Sequence, residues 1–358
     1  MVPTTMKAVL LLGHGDLDQL AYREDVRVPR PGLGEVLIRV GAAAVNNTDI
    51  NTRIGWYSKT VTEATDAGLS AATASATDGA WTGTPLPFPR IQGTDACGRI
   101  VAVGPGVAAT RIGERVLVDP VLRPRTGVAG GKAGYFASEC DGAFAEYTKV
   151  PTENARRLES TLTDVELASF PCSYSTAENM LTRAEVVSGQ TVLVTGASGG
   201  VGSAAVQLAR RRGATVIALA GAAKAELVVG LGASRVLGRD AHLVAELGAE
   251  SVDAVIDVVG GSQFPALLNV LRSGGRYAVA GAISGPVVAL DLRTLYLKDL
   301  RLIGCTIQEA EVFGNLIGYI ERGEIRPLVS QVYPLREIAR AQVDFLSKGH
   351  VGKIVLVP

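Results

Sequence analysis

A glycine-rich turn follows a run of β-branched residues in the middle of this 358-residue chain. Gly199, Gly200 and Gly202 have no Cβ, so a bound pyrophosphate can come close to the backbone there. A helix that begins at this turn would present unpaired N–H groups to the phosphate charge. The spacing departs from G-x-G-x-x-G, since its first position is an alanine preceded by a glycine. The predicted nucleotide-binding turn consists of Ala197, Ser198, Gly199, Gly200 and Val201.

The segment after the next predicted strand, 215–219, bears on the choice of dinucleotide. Folds that select NAD usually have Asp or Glu here, which binds the ribose 2′-hydroxyl. This chain has no acidic residue there until Glu226, whereas Lys224 and the backbone N–H of Gly221 would attract a 2′-phosphate. The segment therefore predicts NADPH as the cofactor. The alternative interpretation of Lys224 is an exposed residue in the first turn of a helix.

Further cofactor contacts are predicted where later strands end. Ligands of open α/β folds collect at the carboxyl edge of the sheet. The residues at these strand ends are Val259, Gly281, Ala282 and Ile283.

The elements that position these residues alternate between strand and helix from about residue 162 to 307. Strands are predicted at 191–195, 215–219, 234–237, 252–259 and 275–281, and helices near 164–185, 200–212, 223–230, 240–247 and 263–272. This alternation predicts an α/β domain with a doubly wound parallel sheet.

The remainder of the chain has a different pattern. Short strands, such as 35–40, 98–104 and 114–118, stand between Gly, Pro and Asp turns up to about residue 151 and predict a compact β-barrel or sandwich. A final strand at 352–357 is expected to return to this first domain. The predicted domains are 1–157, 158–311 and the returning segment 312–358. Residues 58–84 and 120–140 are predicted to be long surface loops, the first a candidate lid.

The composition restricts the partners and the compartment. Lys plus Arg equals Asp plus Glu at 35 each, which argues against a nucleic-acid partner. No apolar run approaches the roughly 20 residues that span a bilayer, and the N-terminus lacks a signal-peptide pattern. The four cysteines form no C-x-x-C pair. We expect a cytoplasmic protein with no membrane partner.

Several motifs together resemble the medium-chain dehydrogenase/reductase superfamily, in particular its zinc-free quinone oxidoreductase branch. They are the glycine turn and the segments 45–49, 93–104, 113–116, 142–147 and 352–355. The resemblance implies a GroES-like β-barrel catalytic domain, a Rossmann cofactor domain and a cleft between them where the nicotinamide meets the substrate. It also implies a homodimer or a dimer of dimers, for which 287–292 is a candidate exposed strand.

The resemblance adds residues to the predicted site. Thr176 lies in a Ser-Thr-Ala segment that faces the cofactor in relatives, and relatives carry a lysine at the position of Lys224. Lys353, in Gly-Lys-Ile-Val, is expected to reach the phosphates. Asn46 is expected to form a hydrogen bond near the nicotinamide ribose or the substrate carbonyl.

The same resemblance allows a comparison with the zinc enzymes of the superfamily. Their catalytic zinc is held by a Cys, by the His of a Gly-His-Glu block and by a later Cys. Here Asn46 takes the first position, Gly93-Thr94-Asp95 replaces the block, and Cys172 alone matches. A catalytic zinc needs three protein ligands, so we expect no zinc.

Without a metal ion, oxidation of an unactivated alcohol is difficult, because nothing strong lowers the pKa of the alcohol. Conjugated acceptors such as quinones, enones, enals and enoyl thioesters need less assistance, since the charge spreads to a distant oxygen. Reduction of C=C also requires a proton donor. Tyr57 occupies the position of a functional tyrosine in the enoyl-thioester reductases of the superfamily, and the alternative is a packing role. Trp56 beside it is a candidate aromatic wall.

The sequence thus predicts an NADPH-dependent reductase that acts on a small electrophilic molecule, a quinone or an α,β-unsaturated carbonyl compound, without zinc. One alternative is an alcohol or aldehyde dehydrogenase of the same superfamily. The other is a non-catalytic NADPH-binding protein.

Overall fold

A computed structural model describes residues 1–65, 78–123 and 133–358. The chain divides into two compact units. The first contains Met1–Val61, the described residues from there to Cys172, and Phe313–Pro358; the second contains Ser173–Val312 and a few residues after Val61. The first boundary lies later than the predicted 157/158. The reason is a short helix at 164–167, which packs against strands of the first unit.

The elements are named here in chain order. The strands are β1 Thr5–Leu11, β2 Leu20–Arg27, β3 Glu35–Ala44, β4 Arg90–Ile91, β5 Cys97–Val103, β6 Arg115–Val118, β7 Val121–Leu122, β8 Gly134–Tyr135, β9 Tyr147–Pro151, β10 Ala155–Arg157, β11 Thr191–Val194, β12 Thr215–Leu219, β13 Arg235–Leu237, β14 Val252–Asp257, β15 Leu271–Val279, β16 Arg301–Gly304, β17 Val329–Pro334 and β18 Lys353–Val357. The α-helices are α1 Asn47–Arg53, α2 Asp164–Leu167, α3 Pro171–Arg183, α4 Gly200–Arg211, α5 Ala225–Leu231, α6 Leu243–Leu247, α7 Phe264–Val270, α8 Leu292–Leu297, α9 Val312–Glu321 and α10 Ile338–Leu346.

The first unit is built on a seven-stranded sheet. Its order is β10-β6-β5-β3-β18-β17, with β9 also paired to β3; smaller sheets are β2-β1-β4 and β7-β8. The C-terminal strand β18 pairs antiparallel with β3, and Val355 lies opposite Ala44. The last residues of the chain therefore complete the sheet that the N-terminal residues begin. Apolar side chains of these strands form one buried core.

The second unit is a six-stranded sheet of order β13-β12-β11-β14-β15-β16, in which every pair is parallel. Val192, Leu193 and Val194 of the central strand β11 are fully buried. Such a continuous apolar run is typical of a strand that is covered on both faces. The α/β prediction and the predicted strands of this sheet are confirmed, with small shifts at their ends.

One helix differs from its prediction. The expected helix at 164–185 is two helices, α2 and α3, separated by three residues that are not α-helical. Pro171, the first residue of α3, has no N–H to donate to a preceding turn, so a continuous helix is disfavoured and a new one begins there.

The glycine turn connects β11 to α4. Gly196 has a φ of +56°, which favours glycine. A Cβ at Gly202 would lie 2.2 Å from the carbonyl oxygen of Gly196, so this glycine lets the helix approach the turn. At Gly199 the nearest atom would be 3.4 Å away, an ordinary contact. Packing therefore accounts for Gly202, which the sequence attributed to the pyrophosphate, but not for Gly199.

Other predictions need correction or fall outside the described residues. Residues 287–292 form an irregular segment and the first residue of α8, not a strand; the edge strands of the sheet are β13 and β16. Parts of the two predicted loops, 66–77 and 124–132, lie outside the described residues. No helix within the described ranges is long and apolar enough to cross a membrane.

Candidate active site

A buried polar cluster lies in the first unit; we call Asn46, Asp95, Cys172 and Lys353 the Lys353 cluster. Lys353 Nζ lies 2.8 Å from Asp95 Oδ2 and donates a hydrogen bond to Asn46 Oδ1. Asn46 Nδ2 donates to the same Asp95 oxygen at 2.9 Å. The backbone N–H of Cys172 donates to Asp95 Oδ1 at 2.6 Å. The carboxylate thus binds an ammonium, an amide and the first turn of α3.

The strand register explains how Lys353 reaches Asn46. Val355 of β18 lies opposite Ala44 of β3 in an antiparallel pair. Continuing that register by two residues past the end of β3 places Lys353 opposite Asn46. The N–H of Val45 also donates to the carbonyl oxygen of Ile354 at 2.9 Å.

A second buried carboxylate, Asp49, supports the cluster from α1. It accepts hydrogen bonds from the backbone N–H of Asn46 at 2.8 Å and of Gly93 at 3.1 Å. Burial and, to a lesser extent, the nearby charge of Asp95 raise its pKa, the N–H donors and the charge of Lys353 lower it, and the result is a pKa of about 7. Asp49 thus fixes the backbone at Asn46 and can exchange a proton near neutral pH.

Two aromatic rings lie next to the thiol of Cys172, a member of the cluster. The Tyr135 hydroxyl donates a hydrogen bond to Cys172 Sγ at 3.3 Å. The Trp81 ring stacks on the Tyr135 ring, with centroids 4.8 Å apart and an interplanar angle of 20°. Burial and then the charge of Asp95 raise the pKa of Cys172 to about 12, so the thiol stays protonated at neutral pH.

The position of Trp81 is fixed by its backbone and its neighbour. The backbone N–H of Trp81 donates a hydrogen bond to Ser138 Oγ at 3.1 Å. Thr82 donates twice to Glu139 Oε1, and the other carboxylate oxygen of Glu139 accepts from the N–H of Tyr135 at 2.7 Å. The Trp81 indole is therefore held against Tyr135 while remaining partly exposed.

Tyr57, the predicted proton donor, lies just after α1. Its hydroxyl donates to Thr48 Oγ1 at 2.9 Å. Burial raises its pKa to about 12, against the lowering effect of hydrogen bonds with Thr48 and Asn51. The phenol is therefore protonated throughout the neutral range, as a proton donor must be, although its proton is directed at Thr48.

Two predicted site residues contact Asp95 in the structure. Lys353, expected at the cofactor phosphates, is 2% exposed, and its ammonium is paired with Asp95 inside the first unit. Asn46, expected to contact the ribose or the substrate carbonyl, uses its amide for Asp95, Lys353 and the carbonyl oxygen of Ala44. The roles of both residues toward a bound cofactor or substrate stay predictions.

The residues of the cluster do not fit a catalytic zinc ion. Among the described residues, no group of three or more His, Cys, Asp or Glu side chains is arranged to hold a metal. Asn46 and Thr94 stand at two positions that hold zinc ligands in the zinc enzymes of the superfamily. Asn46 offers only an amide there, and the Thr94 hydroxyl donates a hydrogen bond to the Phe136 carbonyl oxygen. Asp95 is already neutralised by Lys353. The donor set falls short of three protein ligands.

The second unit brings the predicted cofactor residues together, because carboxyl ends of parallel strands meet at one edge of a sheet. We call this region the cofactor edge. After β11 come Ala197, Ser198, Gly199, Gly200 and Val201; after β12, Gly221 and Lys224; after β14, Val259; and after β15, Gly281, Ala282 and Ile283. Thr176 is on α3 in the same unit and is partly exposed. No side chain caps the N-terminus of α4, and the missing Cβ of Gly199 leaves room for a phosphate beside it.

Two cations lie close together at this edge, after β12 and β13. A Cβ at Gly221 would lie 3.2 Å from a guanidinium nitrogen of Arg239. Partial burial lowers the pKa of Lys224, and the positive charge of Arg239 lowers it further. The two like charges repel each other, and an anion placed with them would relieve the repulsion. Together with the open α4 turn, this arrangement fits a dinucleotide with a 2′-phosphate.

A buried carboxylate organises the end of β14. Asp257 accepts hydrogen bonds from Thr195 Oγ1 at 2.5 Å and from the Tyr277 hydroxyl. It also accepts from the N–H groups of Val259 at 2.8 Å and Gly260 at 3.2 Å. Asp257 thereby fixes the backbone at a predicted cofactor contact.

Sequence reasoning missed Arg239, Asp257, Tyr135, Trp81 and the pairing of Asp95 with Lys353. Arg239 follows a strand of the parallel sheet by two residues, so the strand-end rule that selected Val259 would also have selected it. The other residues carry no comparable signal, because their partners are distant in the sequence.

Comparison with known proteins places the chain in a family. Residues 32–160 match the alcohol dehydrogenase GroES-like domain, and residues 200–322 match the zinc-binding dehydrogenase family. Acryloyl-coenzyme A reductase of Metallosphaera sedula is 30% identical over 98% of this chain and 99% of its own. Quinone oxidoreductase of Rattus norvegicus is 28% identical over 98% of both chains.

Solved structures agree with this placement. A protein of Sinorhizobium meliloti 1021 described as an alcohol dehydrogenase is 49% identical, with a TM-score of 0.89 over 100% of this chain and 98% of that chain. The 2-octenoyl-CoA carboxylase reductase CinF, in complex with NADP and 2-octenoyl-CoA, is 26% identical, with a TM-score of 0.82 over 100% of this chain and 88% of that chain. This chain belongs to the medium-chain dehydrogenase/reductase superfamily, in its quinone oxidoreductase-like branch, and is an oxidoreductase.

Proposed function

We propose that this protein uses NADPH to reduce a conjugated electrophile, a quinone or an α,β-unsaturated carbonyl compound such as an enoyl thioester, without a catalytic zinc ion. The observation that carries the proposal is the cation pair of Lys224 and Arg239 beside Gly221. The 2′-phosphate is the group that distinguishes NADPH from NADH, and it is favoured by two cations near the end of β12, where folds that select NAD usually carry an acidic residue. The NADP-bound relative supports the same cofactor.

The substrate class is supported by the relatives and by the cluster. Relatives are named for acryloyl-coenzyme A and for quinones. At positions where the zinc enzymes hold their metal, Asn46 offers an amide and Thr94 a hydroxyl, so the described residues provide no site for a Lewis acid that would activate an alcohol. Conjugate reduction is therefore the chemistry that suits these residues.

The residues of the chain have distinct tasks in this proposal. NADPH, when bound, supplies the hydride. The α4 turn holds the pyrophosphate, and Lys224 with Arg239 holds the 2′-phosphate. In reduction of a C=C bond, Tyr57 donates a proton to the α-carbon, next to the carbon that receives the hydride, with Thr48 orienting its hydroxyl. The indole of Trp81, supported by Tyr135, offers a surface on which a planar substrate stacks.

The test is a matched panel of substrates. NADPH oxidation is measured with quinones, enals, enones and enoyl thioesters, and with saturated aldehydes as controls, before and after treatment with a chelator. We expect turnover of conjugated acceptors that survives chelation. Activity on saturated aldehydes that is lost to the chelator and restored by zinc would establish an alcohol dehydrogenase instead. Tight NADPH binding with no turnover would establish a non-catalytic binding protein.

We also propose a homodimer that forms at the edge strand β16 and a cytoplasmic location. Apolar side chains near this edge are largely exposed, among them Leu302, Leu297, Tyr296 and Val287. Exposed strand edges with apolar side chains favour pairing with another copy. The four cysteines, all of which lie in the described residues, form no disulfide, a pattern that suits a reducing compartment. Sedimentation of wild type and of a Leu302→Glu variant tests the dimer.

A further inference from the structure

We propose that Gln263 is a positioning residue for the selection of NADPH over NADH, and that it acts by holding Arg239 at the cofactor edge. Its side-chain Nε2 donates a hydrogen bond to the backbone carbonyl oxygen of Arg239. This inference rests on the proposed use of NADPH and deepens it, because it names a residue that sets the preference for the 2′-phosphate through another side chain.

Gln263 and Arg239 come together because the helices that follow them are neighbours. Arg239 lies two residues after β13 and precedes α6, while Gln263 follows β14 and immediately precedes α7. In the sheet, β12 and β11 separate these two strands, but α6 packs against α7. Helices that follow parallel strands begin at the carboxyl edge of the sheet, so Gln263 meets Arg239 at the edge where the dinucleotide is expected.

The carbonyl oxygen that Gln263 binds belongs to an exposed turn. The N–H of Ala241 donates to the carbonyl oxygen of Gly238 at 3.2 Å and closes this turn, in which Arg239 is the second residue. A four-residue turn uses the carbonyl of its first residue for the closing hydrogen bond and leaves that of its second residue available. Gln263 supplies a donor to this carbonyl, and the main chain is thereby fixed at the residue that carries the guanidinium.

The loop that carries Gln263 is itself held by a buried carboxylate. Asp257, at the end of β14, accepts hydrogen bonds from the N–H groups of Val259 at 2.8 Å and Gly260 at 3.2 Å. The backbone shortly before Gln263 is therefore fixed. The hydrogen bond from Gln263 extends this constraint to Arg239, on a loop that the sheet does not place next to it.

The guanidinium of Arg239 lies beside the segment after β12. A Cβ at Gly221 would be 3.2 Å from Arg239 Nη2. Partial burial and then the charge of Arg239 lower the pKa of Lys224. A long side chain loses conformational freedom when it binds an anion, and a main chain that is fixed in advance reduces this cost. Gln263 should therefore strengthen the contact of Arg239 with a 2′-phosphate and have no effect on a nucleotide that lacks this group.

The experiment measures binding of two probes that differ only in the 2′-phosphate. Adenosine 2′,5′-bisphosphate and 5′-AMP are titrated into the full chain by isothermal titration calorimetry. Gln263→Met keeps the approximate length of the side chain and removes the donor. We expect its Kd for the bisphosphate to rise about three- to ten-fold, as for the loss of one hydrogen bond, and its Kd for 5′-AMP to stay unchanged. The KM values for NADPH and NADH should follow the same pattern.

Two further variants separate positioning from general structural damage. Gln190→Met is the matched control, because Gln190 precedes β11 at the opposite edge of the sheet and accepts a hydrogen bond from the N–H of Val187 at 3.2 Å. It should bind both probes as the wild type does. If Gln263 acts through Arg239, the double variant Gln263→Met/Arg239→Ala should bind the bisphosphate no more weakly than Arg239→Ala alone. Gln263→Ala replaces Gln263→Met if the latter does not fold.

The outcomes separate this inference from the proposed function. An unchanged Kd for the bisphosphate in Gln263→Met would overturn the inference alone, as would equal losses for both probes or additive losses in the double variant. A wild type that binds the two probes equally would overturn the proposed use of NADPH itself. A wild-type preference for the bisphosphate that Gln263→Met and Arg239→Ala reduce without additivity supports both.

Discussion

The Lys353 cluster and the cofactor edge each contain a lysine, but the groups that surround its charge differ. In the cluster, Lys353 is buried and bound to Asp95, whose remaining contacts are an amide and a backbone N–H. At the edge, Lys224 is partly exposed and has another cation, Arg239, nearby. The cluster thus pairs its lysine with a carboxylate, whereas the edge brings a lysine near a second cation.

This difference indicates how each region depends on its residues. A self-balanced buried cluster contributes to folding, and removal of one member leaves another charge without compensation. Cations at a ligand-binding edge contribute to ligand binding, and removal of one of them weakens binding while the fold is retained. Substitutions in the two regions should therefore be distinguishable by stability in one case and by cofactor affinity in the other.

The largest effect is expected for Lys353→Met. It leaves Asp95 buried and unpaired, so the free energy of unfolding should fall by about 3–5 kcal/mol. Urea unfolding followed by circular dichroism measures the change. Lys59→Met, on an exposed lysine, should change stability by less than about 0.5 kcal/mol. If Lys353→Met lowered the free energy of unfolding by as little as Lys59→Met, the interpretation that Lys353 and Asp95 balance each other's charge would be wrong.

Tyr57→Phe tests whether the first unit also performs chemistry. If Tyr57 donates the proton, kcat for enal or enoyl-thioester reduction should fall on the order of 10²-fold. Quinone reduction should change little, because water can protonate the product. Unchanged rates on every active substrate would leave Tyr57 with a packing role, and NADPH affinity serves as the folding control.

The buried carboxylate Asp49 predicts a pH dependence of stability. Its pKa in the folded protein is about 7, above the ordinary value of 3.8 for an aspartate, so the folded state binds the proton more tightly than the unfolded state. The resulting stabilisation is complete below about pH 4 and is lost as the pH rises to about 7, at up to about 1.4 kcal/mol per pH unit.

This pH dependence is measured as a difference. The free energy of unfolding of wild type minus that of Asp49→Asn should decrease from pH 5 to pH 7 and be constant above pH 8. Titration of other groups cancels in the difference. A difference that does not vary with pH would show that Asp49 has an ordinary pKa.

Smaller and more specific effects are expected at the cofactor edge. Lys224→Ala and Arg239→Ala should each raise the KM for NADPH about ten-fold and leave the KM for NADH nearly unchanged, because each removes a charged contact with the 2′-phosphate. Arg293→Ala, on an exposed ion pair of the same unit, is the matched control. Equal changes for both nucleotides would place these cations away from the 2′-phosphate.

The smallest effect is expected at the aromatic stack. Trp81→Leu should raise the KM for planar quinones about three- to ten-fold, since an aromatic pair contributes about 0.5–1.5 kcal/mol beyond burial. Trp81→Phe should retain most of the affinity. If Trp81→Leu affects small enals as much as quinones, stacking is not the reason.

The sequence identified the cofactor edge well because the relevant signals are local. The glycine turn, the missing acidic residue after β12 and the strand ends are each read within a few residues, and a parallel sheet brings strand ends to one edge. Arg239 could have been included by the same rule. The predicted single helix at 164–185 failed at Pro171, which is itself a local signal that was overlooked.

Local sequence patterns could not predict the charge pairing in the first unit. Asn46 and Lys353 are 307 positions apart, and Asn46 and Asp95 are 49 apart. Nothing in either neighbourhood indicates that the pairing of β18 with β3 brings an ammonium to the positions of the zinc ligands. The amino-acid sequence by itself determined which ligand types are missing and where a dinucleotide would bind. Only the tertiary structure decided which charged groups pair near the positions of the missing zinc ligands, because charge pairing in a buried site depends on which distant strands become neighbours.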